Sequence, residues 1–447
     1  MRIVVLGAGT VGRSIASLLV QAGHSLTIVD TSAERVRQIN DTLDARAIEG
    51  SASQASVLFQ AGIGSADLCL AVTGCDEVNL VGASMGASMG ARRTVARVYA
   101  PVFRDLSTFD YRRHFGVDRL LSIEQLTALE LAQRIRHPGS VAVENLAGGQ
   151  LEAYELPIEA SHNHLGTPLK DLSLPNGVRI GSICRGEVTW IAGASDTIQA
   201  GDRVTLIGQG DDVDKARQMF DAARGTRRSV LIAGGGETGY HLASALEGRR
   251  IRVVLMESDR GRCEFLASRL PNTTVVHRDA TQRVDLEEER VGTADVFVAC
   301  TGDDENNIVA AVEARDIGAA QVMSLVGRPD YAQVVGRLGI DFAVSPREVV
   351  AKQVLGYLTT GPVVSKAALS ESGSLSILEL DVQEGSAAVE KPLFDLQLPE
   401  QCLIAAVVRE GYATVPGAND HFQPGDTVVA LVAEASEKAA VALFAEP

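Results

Sequence analysis

The sequence predicts an α/β protein with two doubly wound parallel-sheet domains, each followed by a small α+β domain. Three observations carry this. "AVTGCDEVNL" at 71–80 returns as "ACTGDDENNI" at 299–308, so that Thr73 and Thr301 stand 228 positions apart. "IVVLGAGTVG" at 3–12 returns as "SVLIAGGGETG" at 229–239, with Gly7 and Gly234 separated by 227 positions. Between these phrases, near-continuous apolar runs alternate with longer stretches of helical period, the pattern of parallel strands buried on both faces.

In the first copy, strands are expected near 2–6, 25–30, 45–49, 67–72, 94–99 and 118–122, with helices between them. The second copy repeats the plan up to "GIDFAVS" at 339–345. Behind each copy lies a second repeat. "PLKDLSLPNGVRIGSICRG" at 168–186 returns as "PLFDLQLPEQCLIAAVVREG" at 392–411, and "GDRVTLIG" at 201–208 as "GDTVVALV" at 425–432. Short alternating runs punctuated by Pro and Gly-Asp turns point to small α+β modules. The expected domains are therefore 1–137, 138–225, 226–362 and 363–447, with joints at "RHPGS" 136–140, "ARGTRR" 223–228 and "TTGP" 359–362.

Composition narrows the function. A net charge of −16 argues against nucleic acid or an anionic membrane surface as the main partner. No apolar run approaches the roughly 18 residues of a membrane span. The opening "MRIVVLGAG" reads as a strand, without the layout of a signal peptide, and a cytoplasmic location is expected. The six cysteines form no CxxC and are read as reduced thiols. His162 and His164 stand in one loop, "SHNHLG", without further ligands nearby, so no metal site is expected.

Gly7-x-Gly9-x-x-Gly12 follows a strand and opens a helix, the context of a Rossmann-like dinucleotide fingerprint. Gly7 permits the turn, Gly9 admits a pyrophosphate, and Gly12 lets helix and strand approach; Ala8, Thr10 and Val11 complete the loop. The phosphate then rests on the free N–H groups of the helix start. The second copy offers Gly234, Gly235, Gly236, Glu237, Thr238 and Gly239. An acid closes the next strand in both copies, Asp30 and Glu257. A carboxylate there accepts from ribose hydroxyls and repels a 2′-phosphate, favouring NAD or adenosine nucleotides over NADP. A capping box at "TSAE", 31–34, is expected to start the next helix. Thr73 and Gly74, with Thr301 in copy two, fall past the fourth strand at the switch point, and Asp76 and Glu77 are expected to cap the helix that follows. "GASMGASMGA" at 82–91 places small residues for close helix packing.

GAGTVG, Asp30 and "AVTGCDEVN", then GGGETG, and the two Gly-Asp-ended modules together resemble the RCK (KTN) domains of potassium transport. Their N–C–N–C order across essentially the whole chain is similar to that of cytoplasmic regulatory subunits of Trk-type uptake systems. The resemblance implies a homotetrameric ring under a membrane potassium-transporting subunit, its shape altered by NAD(H) and ATP or ADP. It also implies that Ser51 and Ala52, with Asp279 and Ala280 in copy two, flank adenine and that Arg97 faces phosphate. Copy two has Leu325 in place of Arg97, which puts its phosphate grip in doubt. The competing reading is an NAD-dependent dehydrogenase. A hydride enzyme needs an acid/base group beside the nicotinamide, and no His, Lys or Tyr recurs at matching positions of the two small modules. The expected protein is thus a binder without catalytic residues.

Overall fold

The computed structural model describes residues 1–105, 107–136, 143–146, 150–159, 164–186, 188–220, 228–247, 251–328, 331, 335–358, 361–369, 374–389, 391–409 and 412–446. The expected joints fall largely outside these residues, as does His162. The chain divides into two compact units, one of residues Met1–Ala132 with Arg228–Leu358, the other of Gln133–Arg227 with Thr359–Pro447. Like domains thus associate with like, although they alternate along the chain.

In the first unit, strands β1 (Arg2–Leu6), β2 (Ser25–Asp30), β3 (Arg46–Glu49), β4 (Leu68–Ala71), β5 (Thr94–Arg97) and β6 (Arg119–Leu121) form one sheet. Its order is β3-β2-β1-β4-β5-β6, and every pairing is parallel. This is the dinucleotide-binding order, with its switch point between β1 and β4. Helices α1 (Thr10–Gln21), α2 (Ala33–Thr42), α3 (Ala55–Gln60), α4 (Asp76–Ser88), α5 (Tyr111–His114) and α6 (Ile123–Arg136) connect the strands. The β1 burial explains its unbroken apolar run: Ile3 and Val5 join one core, Val4 and Leu6 the other. Close packing of α4 also follows from sequence. A Cβ at Gly82 would lie 2.9 Å from the Ala52 carbonyl oxygen, and one at Gly86 3.0 Å from Cys69 Sγ.

The second unit begins with an antiparallel sheet, β7 (Val143–Leu146), β8 (Leu151–Pro157), β9 (Val178–Arg185), β10 (Val188–Ile191) and β11 (Arg203–Gly208), ordered β10-β9-β11-β8-β7 and followed by α7 (Gly210–Phe220). Its Gly-Asp turn is a charged knot. Arg185 Nε and a terminal nitrogen donate to the two oxygens of Asp202 at 2.8 and 2.9 Å, and Gln199 N–H adds a third bond at 2.8 Å. The other module repeats it with Arg409, Asp426 and Gln423. Burial would raise the Asp202 carboxyl, but Arg185 and the Gln199 amide outweigh it and hold the group below its ordinary range. A depressed carboxyl stabilises the fold above its unfolded pKa and loses that contribution as pH falls through the folded one. Asp202→Asn should therefore destabilise the module by roughly 1.5–3 kcal/mol at neutral pH, nearer the lower figure because Arg185 is part-exposed. Urea unfolding should show the gap closing as the pH falls below about 4.

The repeat in the first unit has strands β12 (Arg228–Ala233), β13 (Ile251–Glu257), β14 (Thr273–His277), β15 (Val296–Ala299), β16 (Gln321–Leu325) and β17 (Phe342–Val344), again parallel and in the order β14-β13-β12-β15-β16-β17. Its helices include α8 (Glu237–Leu246), α9 (Arg260–Arg269), α10 (Arg283–Glu288) and α11 (Asp304–Ile317). A last helix, Pro346–Gly356, leaves its own sheet. Its Val350 and Val354, with Tyr357 just beyond, share a core with Ile15 and Leu19 of α1. Arg93 donates to the Tyr357 carbonyl oxygen at 3.3 Å. The second module of the other unit has strands β18 (Val363–Ala368), β19 (Leu375–Asp381), β20 (Cys402–Arg409), β21 (Tyr412–Thr414) and β22 (Thr427–Ala433), ordered β18-β19-β22-β20-β21. All six cysteines are free, and Cys69, Cys184 and Cys300 are buried. Among the described residues, no helix is long and apolar enough to cross a membrane, and no three His, Cys, Asp or Glu side chains are grouped to hold a metal ion.

Candidate nucleotide site

The first sheet carries a cleft of about 340 Å³ at its switch point, lined by Gly7, Gly9, Asp30, Arg35, Ser51, Ala52, Thr73 and Gly74 among others. They lie at or beyond the carboxyl ends of the strands. Gly7 turns the chain at φ +112°, and a Cβ there would sit 2.9 Å from the Thr73 amide nitrogen. Gly12 is tighter still, since its Cβ would lie 1.9 Å from the Gly7 carbonyl oxygen. Gly9, at the N-cap of α1, has nothing within 4 Å of its would-be Cβ and looks onto open space. Thr10 opens the helix and Val11 packs against the core below it.

Asp30 Oδ2 accepts the Ala8 N–H at 2.7 Å, and Oδ1 accepts the Ser32 N–H at 2.8 Å. The acid therefore shapes the glycine loop while keeping acceptor capacity for a ribose, because a carboxylate offers about four lone-pair sites. The α2 cap is Ser32, which accepts the Arg35 N–H at 3.4 Å; this differs by one residue from the expected box because Thr31 lines the cleft instead.

The repeated phrase is a clamp. Asn79 is fully buried, and its Oδ1 accepts from both the backbone N–H and the hydroxyl of Thr73 at 2.7 Å. Its Nδ2 donates to the carbonyl oxygens of Thr73 at 3.1 Å and Arg97 at 3.0 Å. Asn307 repeats the pattern on Thr301 and the Leu325 carbonyl. Arg97 and Leu325 are thus equivalent as backbone acceptors, which explains why one position tolerates both side chains. Asp76 does not cap α4 with its side chain. Its oxygens accept the Tyr99 and Ala100 N–H groups at 2.9 and 2.8 Å, pinning the chain after β5, as Asp304 does for Gly327 and Arg328. In copy two the capping acid is Asp303, which accepts the Asn306 N–H at 2.8 Å. The sequence signal for the clamp was an Asn at a core position of a helix, written twice.

Arg97 does not face the cleft. Its guanidinium donates to Glu124 Oε1 at 3.0 Å, and it is not among the lining residues. The cation at the cleft is Arg35, half-exposed and 3.7 Å from Asp30. A neighbouring cavity of about 380 Å³ is lined by Thr10, Arg13, Ser14, Ser17 and, from the second half, Arg347.

Copy two keeps the frame. Gly234 turns at φ +106°, Gly239 packs 1.9 Å from the Gly234 carbonyl oxygen by the same Cβ measure, and Gly236 caps α8 without a side-chain bond. Thr238 lies in the first turn of α8. Glu257 Oε2 accepts the Gly235 N–H at 2.8 Å and Oε1 the Asp259 N–H at 2.8 Å. Asp279 accepts from the backbone and hydroxyl of Thr281 at 3.0 and 2.8 Å, and Ala280 is buried. The difference is Glu237, nine-tenths buried at the helix start where copy one has Thr10, and ion-paired to Arg262 at 3.0 Å.

Comparison with known proteins agrees with this architecture. The TrkA-N domain matches residues 3–122 and 230–346, and the TrkA-C domain matches 153–221 and 377–445. The Trk system potassium uptake protein TrkA of Halomonas elongata is 31% identical over 439 residues, covering 97% of this chain and 96% of its own. The TrkA homolog of Archaeoglobus fulgidus is 33% identical over 430 residues, with 96% of each covered. Among solved structures, the GsuK RCK domain aligns with a TM-score of 0.59 over 98% of this chain and 93% of its own, at 17% identity. The GsuK channel bound to NAD aligns equally well, with a TM-score of 0.59 at 16% identity, over 99% of this chain and 78% of that one. With two copies of each domain in register with two copies of each family pattern, the chain belongs to the TrkA family of Trk system potassium uptake proteins.

Proposed function

We propose that this chain is a cytoplasmic regulatory subunit that gates a membrane potassium transporter in response to NAD(H) and ATP or ADP. The observation that carries the reading is the cleft itself: a glycine loop at a helix start, lined also by Asp30, Ser51 and Ala52. Its relatives' names supply the potassium uptake system, and a homotetrameric ring beneath the transporter fits that role. Among the described residues, no His, Lys or Tyr lines the cleft, which favours a binder over the dehydrogenase reading. A nucleotide can shift such a ring only by its differential affinity for two shapes. Co-purification with a Trk-type membrane subunit, and nucleotide-dependent potassium uptake by the pair, test the assignment. A preparation that binds nucleotide but leaves uptake unchanged refutes the gating role.

Asp30 should make the protein prefer NADH over NADPH, and Asp30→Ala should narrow that gap in a calorimetric titration. Equal affinities in the wild type would remove the ribose role. Arg35 supplies the charge near the phosphates, so Arg35→Ala should weaken ADP by about 10-fold, as for loss of one charged hydrogen bond. Arg97→Leu should leave ADP binding within about 2-fold, because its charge is already engaged by Glu124.

A further inference from the structure

Arg35 and Arg262 hold equivalent places, one in each copy, at the start of the helix that follows the ribose-position acid. Their surroundings differ. Arg35 borders an open cleft. Arg262 reaches from α9 to the glycine loop. Its Nε donates to the Gly235 carbonyl oxygen at 2.7 Å and a terminal nitrogen to Glu237 Oε1 at 3.0 Å. The guanidinium also lies over the Phe265 ring, 4.7 Å from its centroid. It therefore bridges, in copy two, from the helix to the glycine loop, whose counterparts in copy one both line the open cleft.

Glu237 holds it there. The carboxylate is 8% exposed, and its Oε2 has no hydrogen-bond partner. His241 Nε2 lies 3.8 Å from that oxygen. Arg104 donates to this nitrogen at 3.0 Å, so Nε2 is an acceptor and carries no proton. Burial, with Arg104 and Arg262 alongside, pushes the imidazole down to about 4. His241 is therefore neutral near pH 7, and Arg262 is the cation that hydrogen-bonds Glu237, with the Arg104 charge nearby.

We propose that Glu237 and Arg262 form a latch that closes the second groove to nucleotide phosphates, so that one chain takes up one nucleotide, in its first cleft. A phosphate arriving at the start of α8 would meet a buried carboxylate where copy one offers Thr10, and would have to displace two charge-assisted bonds of Arg262. The same partial positive charge at the helix end that attracts phosphate in copy one is spent on a side chain of the protein in copy two.

The inference rests on the first cleft being a nucleotide site, and the test separates the two. ADP is titrated calorimetrically into the full chain as wild type, Gly9→Val, Glu237→Thr and the double variant. The expected stoichiometries are one, none, two and one. Glu237→Thr installs the residue of copy one; should it fail to fold, Glu237→Gln removes the charge that holds Arg262 and repels phosphate while keeping the side-chain shape, and should also reach two. A wild type that binds two, or an opened variant that gains no site over the wild type, overturns the latch. Gly9→Val binding as the wild type does overturns the first-cleft reading instead, while the gain in Glu237→Thr still judges the latch.

Discussion

Gly9→Val is expected to abolish NADH and ADP binding while the first doubly wound domain remains folded. Apart from its chain neighbours, no protein atom lies within 4 Å of a Cβ at this position, and the backbone there has φ −66° and ψ −172°, open to any residue. The added isopropyl group therefore stands in solvent in the free protein and in the pyrophosphate's place in the complex. Calorimetry should show no heat of binding, with the circular dichroism spectrum and melting profile of the wild type. Gly12→Ala gives the contrasting result. Its methyl carbon would lie 1.9 Å from the Gly7 carbonyl oxygen, a contact only backbone movement can relieve. Overpacking of this kind costs roughly 1–3 kcal/mol or more, so this variant should lose stability first and binding as a consequence. Unchanged affinity in a folded Gly9→Val protein would show that the nucleotide does not rest on this loop.

Asn79→Ala should be the most destabilising single substitution in the clamp. It removes a fully buried side chain whose four hydrogen bonds join Thr73 to the carbonyl end of β5. Three backbone groups and a hydroxyl lose this partner, at roughly 1–3 kcal/mol for each buried group that finds no water. A total near 3–5 kcal/mol is expected, since the new cavity will hydrate some of them. Urea unfolding measures it. Because the clamp fixes Thr73 and Gly74 at the cleft, nucleotide affinity should fall as well. Asn79→Asp keeps the shape but turns a buried carboxylate oxygen toward the Thr73 and Arg97 carbonyl oxygens, and should lose at least as much as alanine. A loss below about 1 kcal/mol in Asn79→Ala would refute the structural role.

Strands and helices were legible because their burial is uniform: a parallel strand such as Leu68–Ala71 is buried at every position and reads as an unbroken apolar run. The glycine fingerprint was legible because Gly7 and Gly12 are required by contacts within a few residues or across one strand. What sequence did not reveal depends on where a side chain points. Asp76 stands in the first turn of its helix, as a cap would, yet its oxygens turn toward Tyr99 and Ala100. Arg97 ends a strand beside the cleft, yet Glu124 draws it away. Glu237 sits inside a good fingerprint and is bound by a partner 25 residues on, a pairing no local pattern announces. The packing of the helix Pro346–Gly356 on α1 is set by a fold-back of more than 300 residues, and periodicity shows only that the helix has an apolar side.

That fold-back makes the tandem a single folding object with an interior seam. Cut between its repeats, the amino-terminal half would expose Ile15 and Leu19 where Val350, Val354 and Tyr357 had covered them, and would be prone to self-association. The complementary fragment would carry the missing wedge. Two polypeptides made separately should thus recombine spontaneously into the parental assembly, as the pieces of a split reporter do, with the wedge helix rather than the peptide linker dictating the match.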